Sequence, residues 1–405
     1  MERKLSNRDG GHPPQPAQPA AAATIDGRSA IHELLQHRPL DRGAVDQFLR
    51  EHTFPFVKGT SCTFLYRGEA DSVVLRSFIF GLPSAQPFQR VLGTELWFLV
   101  MELPEQSRME YKIEVATRAG SRWIEDPLNP LHARDPFGAN SVVHGSGYEE
   151  PEWARPDSET RTGSFEDFLF SSAAFGDERK VTVYLPARFR RSRTYPVLIV
   201  HDGGDYLKYS GLKVVLDNLI HRLEIPELIA VLTYPEDRLV EYGNDERHAR
   251  FLVEELLPKV EADYPLRKDP ASRGMMGASF GAVAALSTAV RYPGAFGRLL
   301  LQSGSFAFTD IGKRHERGPV FDPVVAFMNK YRKQPTRVVD RAYVSCGIYE
   351  SLIYENRSLV PLLQSTGMEV KYTESRDAHN WEAWRDRCRE GLSWLFEGPF
   401  WMVYE

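Results

Sequence analysis

The most informative stretch of this chain is residues 273–291, RGMMGASFGAVAALSTAVR. A short apolar strand is predicted over residues 273–277 and an alanine-rich helix over residues 282–290, and the pattern Gly-x-Ser-x-Gly joins them at residues 277–281. Glycine on each side of the serine lets the chain turn sharply from strand to helix, because no side chain clashes at the turn. The turn is interpreted as a nucleophile elbow, and Ser279 is the candidate catalytic serine.

Strand-like and helix-like segments alternate around this motif. Apolar runs typical of buried strands lie at residues 181–185, 197–200, 228–234, 274–276, 299–302, 342–346 and 369–374. Helical segments are predicted at residues 212–222, 245–263, 282–291, 356–365 and 381–395. Such alternation is typical of a mostly parallel sheet covered on both faces, with functional groups at the carboxyl ends of the strands. We therefore predict the α/β class, with an α/β-hydrolase domain over residues 163–405.

The part of the chain before this domain has a different pattern. Residues 1–24 are rich in proline and alanine and are predicted to form a disordered tail, followed by a short helical segment over residues 25–52. Alternating strand-like runs follow at residues 63–66, 73–76, 96–101 and 111–115. They predict an all-β, immunoglobulin-like sandwich over residues 53–150 and a polar linker over residues 151–162. The aromatic residues Trp97, Phe98 and Tyr111 of the predicted sandwich are interpreted as core residues, and an exposed binding platform is the alternative.

Composition argues against several function classes. The formal net charge of −5 gives no electrostatic basis for binding nucleic acid or an anionic membrane surface. We expect no transmembrane helix, because no apolar run reaches about 18 residues, and no secretory signal, because the N-terminus lacks an apolar stretch. The 3 cysteines are too few and too scattered for a disulfide framework or a zinc site. We predict free thiols, a cytoplasmic location, no metal and no cofactor.

A serine hydroxyl needs a base to become a nucleophile, and the base needs an orienting acid. In α/β-hydrolases these groups follow the serine in the order acid, then histidine. His379 lies after the last predicted strand, where the base belongs, although it could instead cap the final helix; His315 lies in a charged run. Glu350, after the strand at residues 342–346, is the best-placed acid unless it is a solvated loop carboxylate. Asp377 is its rival, and a Ser–His dyad without an acid remains open.

The developing oxyanion of such a reaction needs two backbone N–H donors. The N–H of Phe280, directly after the serine, is one candidate. The second is expected after the strand at residues 197–200, where the sequence HDGGD occupies residues 201–205. Gly204 or Asp205 is the candidate there, and an ordinary turn is the alternative.

Together these segments resemble the enterochelin esterase and esterase D family of hydrolases. The resemblance is carried by HDGGDY (201–206), DRLVEY (237–242), FLVEELLP (251–258), GASFG (277–281), YPGAFG (292–297), QSGS (302–305), CGIYE (346–350) and HNW (379–381). The sequence from residue 96 to DPLNP at residues 126–130 resembles the sandwich domain that precedes the esterase domain in enterochelin esterases. One departure is Ala282, where relatives commonly have a second glycine.

The resemblance implies a serine esterase that hydrolyses the trilactone of a catecholate siderophore and so releases iron. It assigns the nucleophile, base and acid to Ser279, His379 and Glu350, the last a position often occupied by Asp in relatives. It also implies that Arg238 contacts acidic groups of the substrate, while a structural Arg238–Glu241 pair is the alternative reading of the residues.

The expected partner is a small-molecule ester, with neither nucleic acid nor membrane. Three other activities stay open at this point. They are a carbohydrate-linked acetyl or feruloyl-type esterase, an acyltransferase with the same residues, and a non-catalytic binding protein of the same fold.

Overall fold

The computed structural model describes residues 30–36, 42–309 and 317–398. The predicted tail and His315 lie outside these residues. The α-helices are α1 Ala30–Gln36, α2 Arg42–Glu51, α3 Gly203–Tyr209, α4 Leu212–His221, α5 Arg238–Glu241, α6 Glu246–Arg250, α7 Leu257–Asp263, α8 Phe280–Arg291, α9 Asp322–Lys333, α10 Ile353–Ser365, α11 Trp381–Arg385 and α12 Cys388–Leu395. A π-helical segment, Phe251–Leu256, joins α6 to α7, and short 3-10 turns lie at Glu152–Ala154, Pro270–Ser272 and Pro319–Phe321.

The strands fall into an N-terminal group and a C-terminal group. The N-terminal strands are β1 Phe56–Lys58, β2 Ser61–Arg67, β3 Ser72–Arg76, β4 Ala85–Pro87, β5 Gln89–Arg90, β6 Leu96–Glu102, β7 Arg108–Thr117, β8 Gly120–Ile124, β9 His132–Asp135 and β10 Gly138–His144. The C-terminal strands are β11 Ser164–Ser172, β12 Asp177–Leu185, β13 Val197–Val200, β14 Ile229–Thr233, β15 Arg273–Ala278, β16 Arg298–Gln302, β17 Arg341–Gly347 and β18 Glu369–Ser375.

The C-terminal strands form one sheet, which within the described residues has eight strands in the order β11-β12-β14-β13-β15-β16-β17-β18. Pairing is parallel from β14 to β18, whereas β12 runs antiparallel to both of its neighbours. Apolar side chains of α8, α9 and α10 pack on one face, and those of α4 and α12 pack on the other. Burial on both faces explains why the parallel strands read as continuous apolar runs. The α/β class is confirmed, and the arrangement is α/β-hydrolase-like.

Several elements of this sheet and its cover were not predicted from the sequence, among them β11, α3 and α9. Strand β11 lies at the sheet edge, and most of its side chains are exposed, so it lacks the apolar run of its buried neighbours. Helix α9 follows a part of the chain with no strand or helix signal. The helix predicted over residues 381–395 is interrupted at Asp386 and Arg387, between α11 and α12.

The N-terminal strands form antiparallel sheets. One has the order β1-β2-β6-β5, and the other has the order β4-β3-β7-β10-β9 with β8 beside β7. Phe64 and Trp97 of the first sheet share a core with Ile113 of the second. Phe98 points to the other side of its sheet and packs with residues of α1 and α2. The core interpretation of these aromatic residues therefore agrees with their burial, while the immunoglobulin-like assignment and the domain boundaries stay predictions.

A buried arginine joins the N-terminal sheets to the α/β sheet. The side chain of Arg108 is 0% exposed and contacts Glu382 at 2.5 Å and Asn380 at 2.9 Å, both in or next to α11. Its backbone N–H donates to the carbonyl of Arg376 at 2.9 Å, just after β18. The loop between β18 and α11 is therefore fixed from both sides.

No described helix is both long enough and apolar enough to cross a membrane.

Candidate active site

Ser279 lies between β15 and α8 in a backbone conformation that is rare for residues other than glycine. Its φ is 80° and its ψ is −113°. A Cβ at Gly277 would lie 2.4 Å from the carbonyl carbon of Gly281, so strand and helix touch backbone to backbone. The N–H of Ser279 donates to the carbonyl of Gln302 at 3.0 Å, and its carbonyl accepts from the N–H of Ser305 at 3.2 Å. The geometry is that of the predicted elbow.

The structure brings the three predicted reacting side chains into one hydrogen-bonded chain. Ser279 Oγ lies 3.1 Å from His379 Nε2, and His379 Nδ1 lies 2.7 Å from Glu350 Oε2. A carboxylate accepts the Nδ1–H, which leaves Nε2 unprotonated and facing the serine hydroxyl. The Glu350 side chain is 1% exposed and the His379 side chain 39% exposed, so the base reaches solvent while the acid does not. The arrangement can withdraw a proton from the serine hydroxyl.

Glu350 is held by groups that the sequence analysis did not identify. Its Oε1 accepts from Ser303 Oγ at 2.6 Å and from the N–H of Gly347 at 2.8 Å. Ser303 Oγ accepts in turn from Trp384 Nε1 at 2.9 Å, and the Trp384 ring packs edge-on against His379. Glu350 is therefore an oriented, buried carboxylate. Ser303 lies within the QSGS segment quoted above, whereas nothing in the sequence distinguished Trp384.

Asp377, the rival acid, makes its contacts elsewhere. Its carboxylate accepts from the N–H of Ala378 and from Asn380 Nδ2, both at 2.7 Å, and lies 3.6 Å from the Arg108 guanidinium. Burial raises the pKa of Asp377 to about 7, against the opposing effect of Arg108. Asp377 therefore anchors the loop that carries His379, and the geometry favours Glu350 as the acid.

The loop after β13 distinguishes the two candidates for the second oxyanion donor. Asp202 has a φ of 53°, and α3 begins directly after it. The N–H of Asp205 donates to the Asp202 carbonyl at 3.0 Å, so the prediction of Asp205 as a free donor is wrong. The N–H groups of a first helical turn have no partner within their own helix. Gly204 in α3 and Phe280 in α8 both occupy such positions and remain the candidates.

Arg238 does not pair with Glu241, the structural partner that was considered for it. Its guanidinium makes two hydrogen bonds to the Asp202 carboxylate, at 2.8 and 2.7 Å, and one to the carbonyl of Ala278 at 3.2 Å. Glu241 instead accepts from Arg179 at 2.7 Å, so the predicted Arg238–Glu241 pair is wrong. Arg238 ties the loop of Gly204 to the residue before Ser279. Contact of Arg238 with substrate stays a prediction.

Two buried histidines lie behind the elbow. His201 Nδ1 is 3.0 Å from the carbonyl of Met276, and His201 Nε2 is 3.1 Å from His248 Nε2. Because Nδ1 donates to the carbonyl, His201 Nε2 is an acceptor and His248 supplies the proton between them. Burial lowers the pKa of His201 to about 4, and burial together with His201 lowers the pKa of His248. Both rings are therefore neutral in the folded protein.

A cavity of about 340 Å³ opens beside His379. Its wall combines the loop of His379 with side chains of the N-terminal sheets. Among residues 30–36, 42–309 and 317–398, no group of three His, Cys, Asp or Glu side chains is arranged to hold a metal ion.

Comparisons with known proteins agree on an esterase. A family model described as putative esterase matches residues 172–395. The iron(III) enterobactin esterase of Escherichia coli strain K12 is 24% identical over 340 residues, which cover 78% of this chain and 83% of that protein. An endo-1,4-beta-xylanase/feruloyl esterase of Xylanibacter ruminicola is 25% identical over 247 residues, 57% of this chain and 31% of that protein. The enterochelin esterase of Shigella flexneri has the same fold, with a TM-score of 0.69 at 21% identity over 87% of this chain and 97% of that one.

The backbone contact at the elbow predicts the effect of adding one methyl group. Gly277→Ala should lower the free energy of unfolding by about 1–3 kcal/mol, because the Cβ would meet backbone that cannot move aside. Gly318→Ala, where a Cβ meets nothing within 4 Å, is the control and should stay within about 0.5 kcal/mol of the parent. Urea unfolding measures both, and equal losses would contradict the close contact.

The histidine pair predicts a pH dependence of stability. Since the folded state lowers the pKa of His201 from 6.5 to about 4, the neutral pair stabilises the fold fully above pH 6.5. That contribution is lost as the pH falls from 6.5 toward about 4. His248→Gln keeps a donor for His201 and removes one titrating ring, so stability should fall less steeply on acidification. Thermal unfolding of the parent and of His248→Gln, measured across this pH range, checks the prediction. His221→Gln, a change at an exposed residue, is the control. The prediction is refuted if stability changes with pH equally in the parent and in His248→Gln.

Proposed function

This chain belongs to the putative esterase family and is a carboxylic ester hydrolase, and we propose that it works through a serine nucleophile, Ser279. The observation that carries the proposal is the hydrogen-bonded chain from Ser279 through His379 to the buried Glu350. A hydroxyl, an imidazole and a carboxylate in this order are the groups that acyl transfer requires. The exposed imidazole edge gives a substrate access to the chain.

The mechanism follows from the positions of these groups. His379 takes the proton of Ser279 as its Oγ attacks the ester carbonyl, and Glu350 stabilises the imidazolium that forms. The N–H groups of Phe280 and Gly204 stabilise the oxyanion, each contributing about 10²–10³ in rate. His379 then protonates the leaving hydroxyl, and a water molecule attacks the acyl-enzyme by the same path to release the acid and restore Ser279.

We further propose a catecholate siderophore trilactone as the substrate, with its iron as cargo. The similarity to the enterobactin esterase extends over 78% of this chain, so it reaches into the N-terminal sheets, which border the cavity at His379. The similarity to the xylanase/feruloyl esterase covers 57% of this chain. A substrate that is large enough to contact both regions is favoured over a simple acyl ester. A feruloyl-type esterase is the second candidate, because it shares the esterase domain.

Removing the proposed nucleophile gives the first test. Ser279→Ala should lower turnover of both p-nitrophenyl butyrate and a tri-catecholate trilactone by at least about 10⁴-fold, because no other group starts the reaction. Circular dichroism should show an unchanged fold. Ser287→Ala, at a buried serine in α8, the helix that follows Ser279, is the matched control and should keep full activity. Hydrolysis retained by Ser279→Ala would refute the serine mechanism.

A second test distinguishes the two carboxylates. Glu350→Gln should lower kcat by about 10²- to 10⁴-fold, because the amide no longer fixes the histidine tautomer or stabilises the imidazolium. Asp377→Asn should change kcat by less than about tenfold, since Asp377 orients only the loop. Steady-state kinetics on p-nitrophenyl butyrate measure both variants. The reverse order would assign the acid to Asp377, and two small effects would indicate a Ser–His dyad.

A further inference from the structure

We propose that the N-terminal sheets supply a binding subsite for an aromatic ring of the substrate that carries anionic oxygens, beside His379. The subsite rests on the proposed hydrolysis at Ser279 for its role in turnover. Its residues are Arg76, Phe78, Lys112, Trp123 and Phe137, hereafter the aryl subsite. They come from β3, the turn after β3, β7, β8 and the β9–β10 hairpin, and they surround the 340 Å³ cavity that His379 also lines.

The aromatic side chains of the aryl subsite are unusually exposed. Phe78 is 74% exposed, Trp123 49% and Phe137 94%, whereas Trp97 and Phe98 of the same sheets are buried. Single exposed apolar side chains are normal on a soluble protein, but several around one concave site indicate a binding surface. Phe137 stands at the tip of the β9–β10 hairpin, where no packing within the described residues accounts for a phenyl ring.

The charges of the cavity indicate which ring it accepts. The Arg76 guanidinium lies over the Trp123 ring at 5.3 Å and is neutralised by Glu114 at 2.5 Å. Lys112 has no ion pair with any described residue, so its ammonium group is available to a ligand. Flat aromatic surfaces with one available cation suit an aromatic ring that carries phenolate oxygens.

The carboxylates of the same wall do not cancel this preference. Glu110 accepts from Arg108 at 3.0 Å and from Asn140 at 2.8 Å. Asp135 accepts from the N–H of Phe137 at 2.7 Å. Both are therefore engaged within the protein, and Lys112 is the charged group of the wall left for a ligand.

Backbone hydrogen bonds set the distance between the aryl subsite and the reacting groups. The N–H of Phe80 donates to the carbonyl of Tyr349 at 2.8 Å, which joins the loop of Phe78 to the residue before Glu350. The N–H of Arg108 donates to the Arg376 carbonyl at 2.9 Å, which joins β7 to the loop of His379. A ring bound in the cavity is thus held at a defined position beside the base, as substrate orientation requires.

Binding tests the subsite without turnover. N-(2,3-dihydroxybenzoyl)serine is titrated calorimetrically into Ser279→Ala protein and into the same protein with one further change. Phe137→Ala and Trp123→Ala should each raise Kd about tenfold through lost ring contacts, and Leu92→Ala, at a residue 90% exposed elsewhere on these sheets, should not. Lys112→Gln should raise the Kd of this ligand and leave the Kd of N-benzoylserine, which lacks phenolic oxygens, unchanged. Equal affinity in all variants, or no binding at all, would overturn the subsite.

Kinetics separate the subsite from the hydrolysis itself. The methyl esters of N-(2,3-dihydroxybenzoyl)serine and N-acetylserine differ only in the ring. Phe137→Ala and Trp123→Ala should lower the ratio of their kcat/KM values about tenfold, because only the first ester carries the ring that the aryl subsite contacts.

Wild-type protein that cleaves neither ester would refute the proposed function, while the titration still decides the subsite. Cleavage of both esters at an unchanged ratio in the variants would overturn the subsite alone. Size-exclusion chromatography covers the remaining case. A changed oligomeric state in Phe137→Ala with unchanged affinity would make this surface a contact between copies of the chain and overturn the proposal.

Discussion

The backbone contact between Gly277 and Gly281 is the constraint on which the site depends. It lets β15 pass into α8 without a loop, and it leaves Ser279 at a φ of 80°, a conformation that costs about 1–3 kcal/mol. The surroundings offset that cost. β15 lies in the middle of the sheet between β13 and β16, and hydrogen bonds with the Gln302 carbonyl and the Ser305 N–H hold both sides of the serine. The strained backbone of Ser279 is thus held in the centre of the sheet, where it cannot relax, and this fixed backbone sets the direction of the hydroxyl group.

The parallel register of the sheet brings the other groups to the same edge. Ala278 pairs with Gln302, Gln302 with Ser345 and Gly347 with Ser375, so the strands end at one level. Ser279, Ser303, Glu350 and His379 follow β15, β16, β17 and β18 in turn. Each strand supplies a group that contacts a group from another strand of the set, which is why residues 100 positions apart come within hydrogen-bond distance. The geometry of the proposed reaction is therefore a consequence of strand order rather than of any one loop.

How far the sequence predicts this site depends on how local each signal is. The elbow is local, because glycines and serine within five positions determine it, and the order of strands then places His379 and Glu350 in the right loops. Neighbouring carboxylates and arginines carry no such signal. Asp377 contacts Arg108 rather than His379, and Arg238 selects Asp202 over Glu241, only because of how distant segments pack. Edge strand β11 was missed because most of its side chains are exposed, so its sequence lacks the apolar run that marks the buried strands.

Arg108 shows how the N-terminal sheets become part of the site. A fully buried guanidinium is costly to desolvate, and its contacts with Glu110, Glu382 and Asn380 offset that cost only when both regions are in place. Because Asn380 and Asp377 flank His379 in the chain, the arginine restrains the loop of the base before and after His379. Arg108, which restrains this loop, and Lys112, which lines the cavity beside it, therefore lie on the same strand, β7. An N-terminal region that only tethered the esterase domain would need neither the buried arginine nor the exposed rings. The buried arginine and the exposed rings lie together because the same region both positions His379 and binds the substrate.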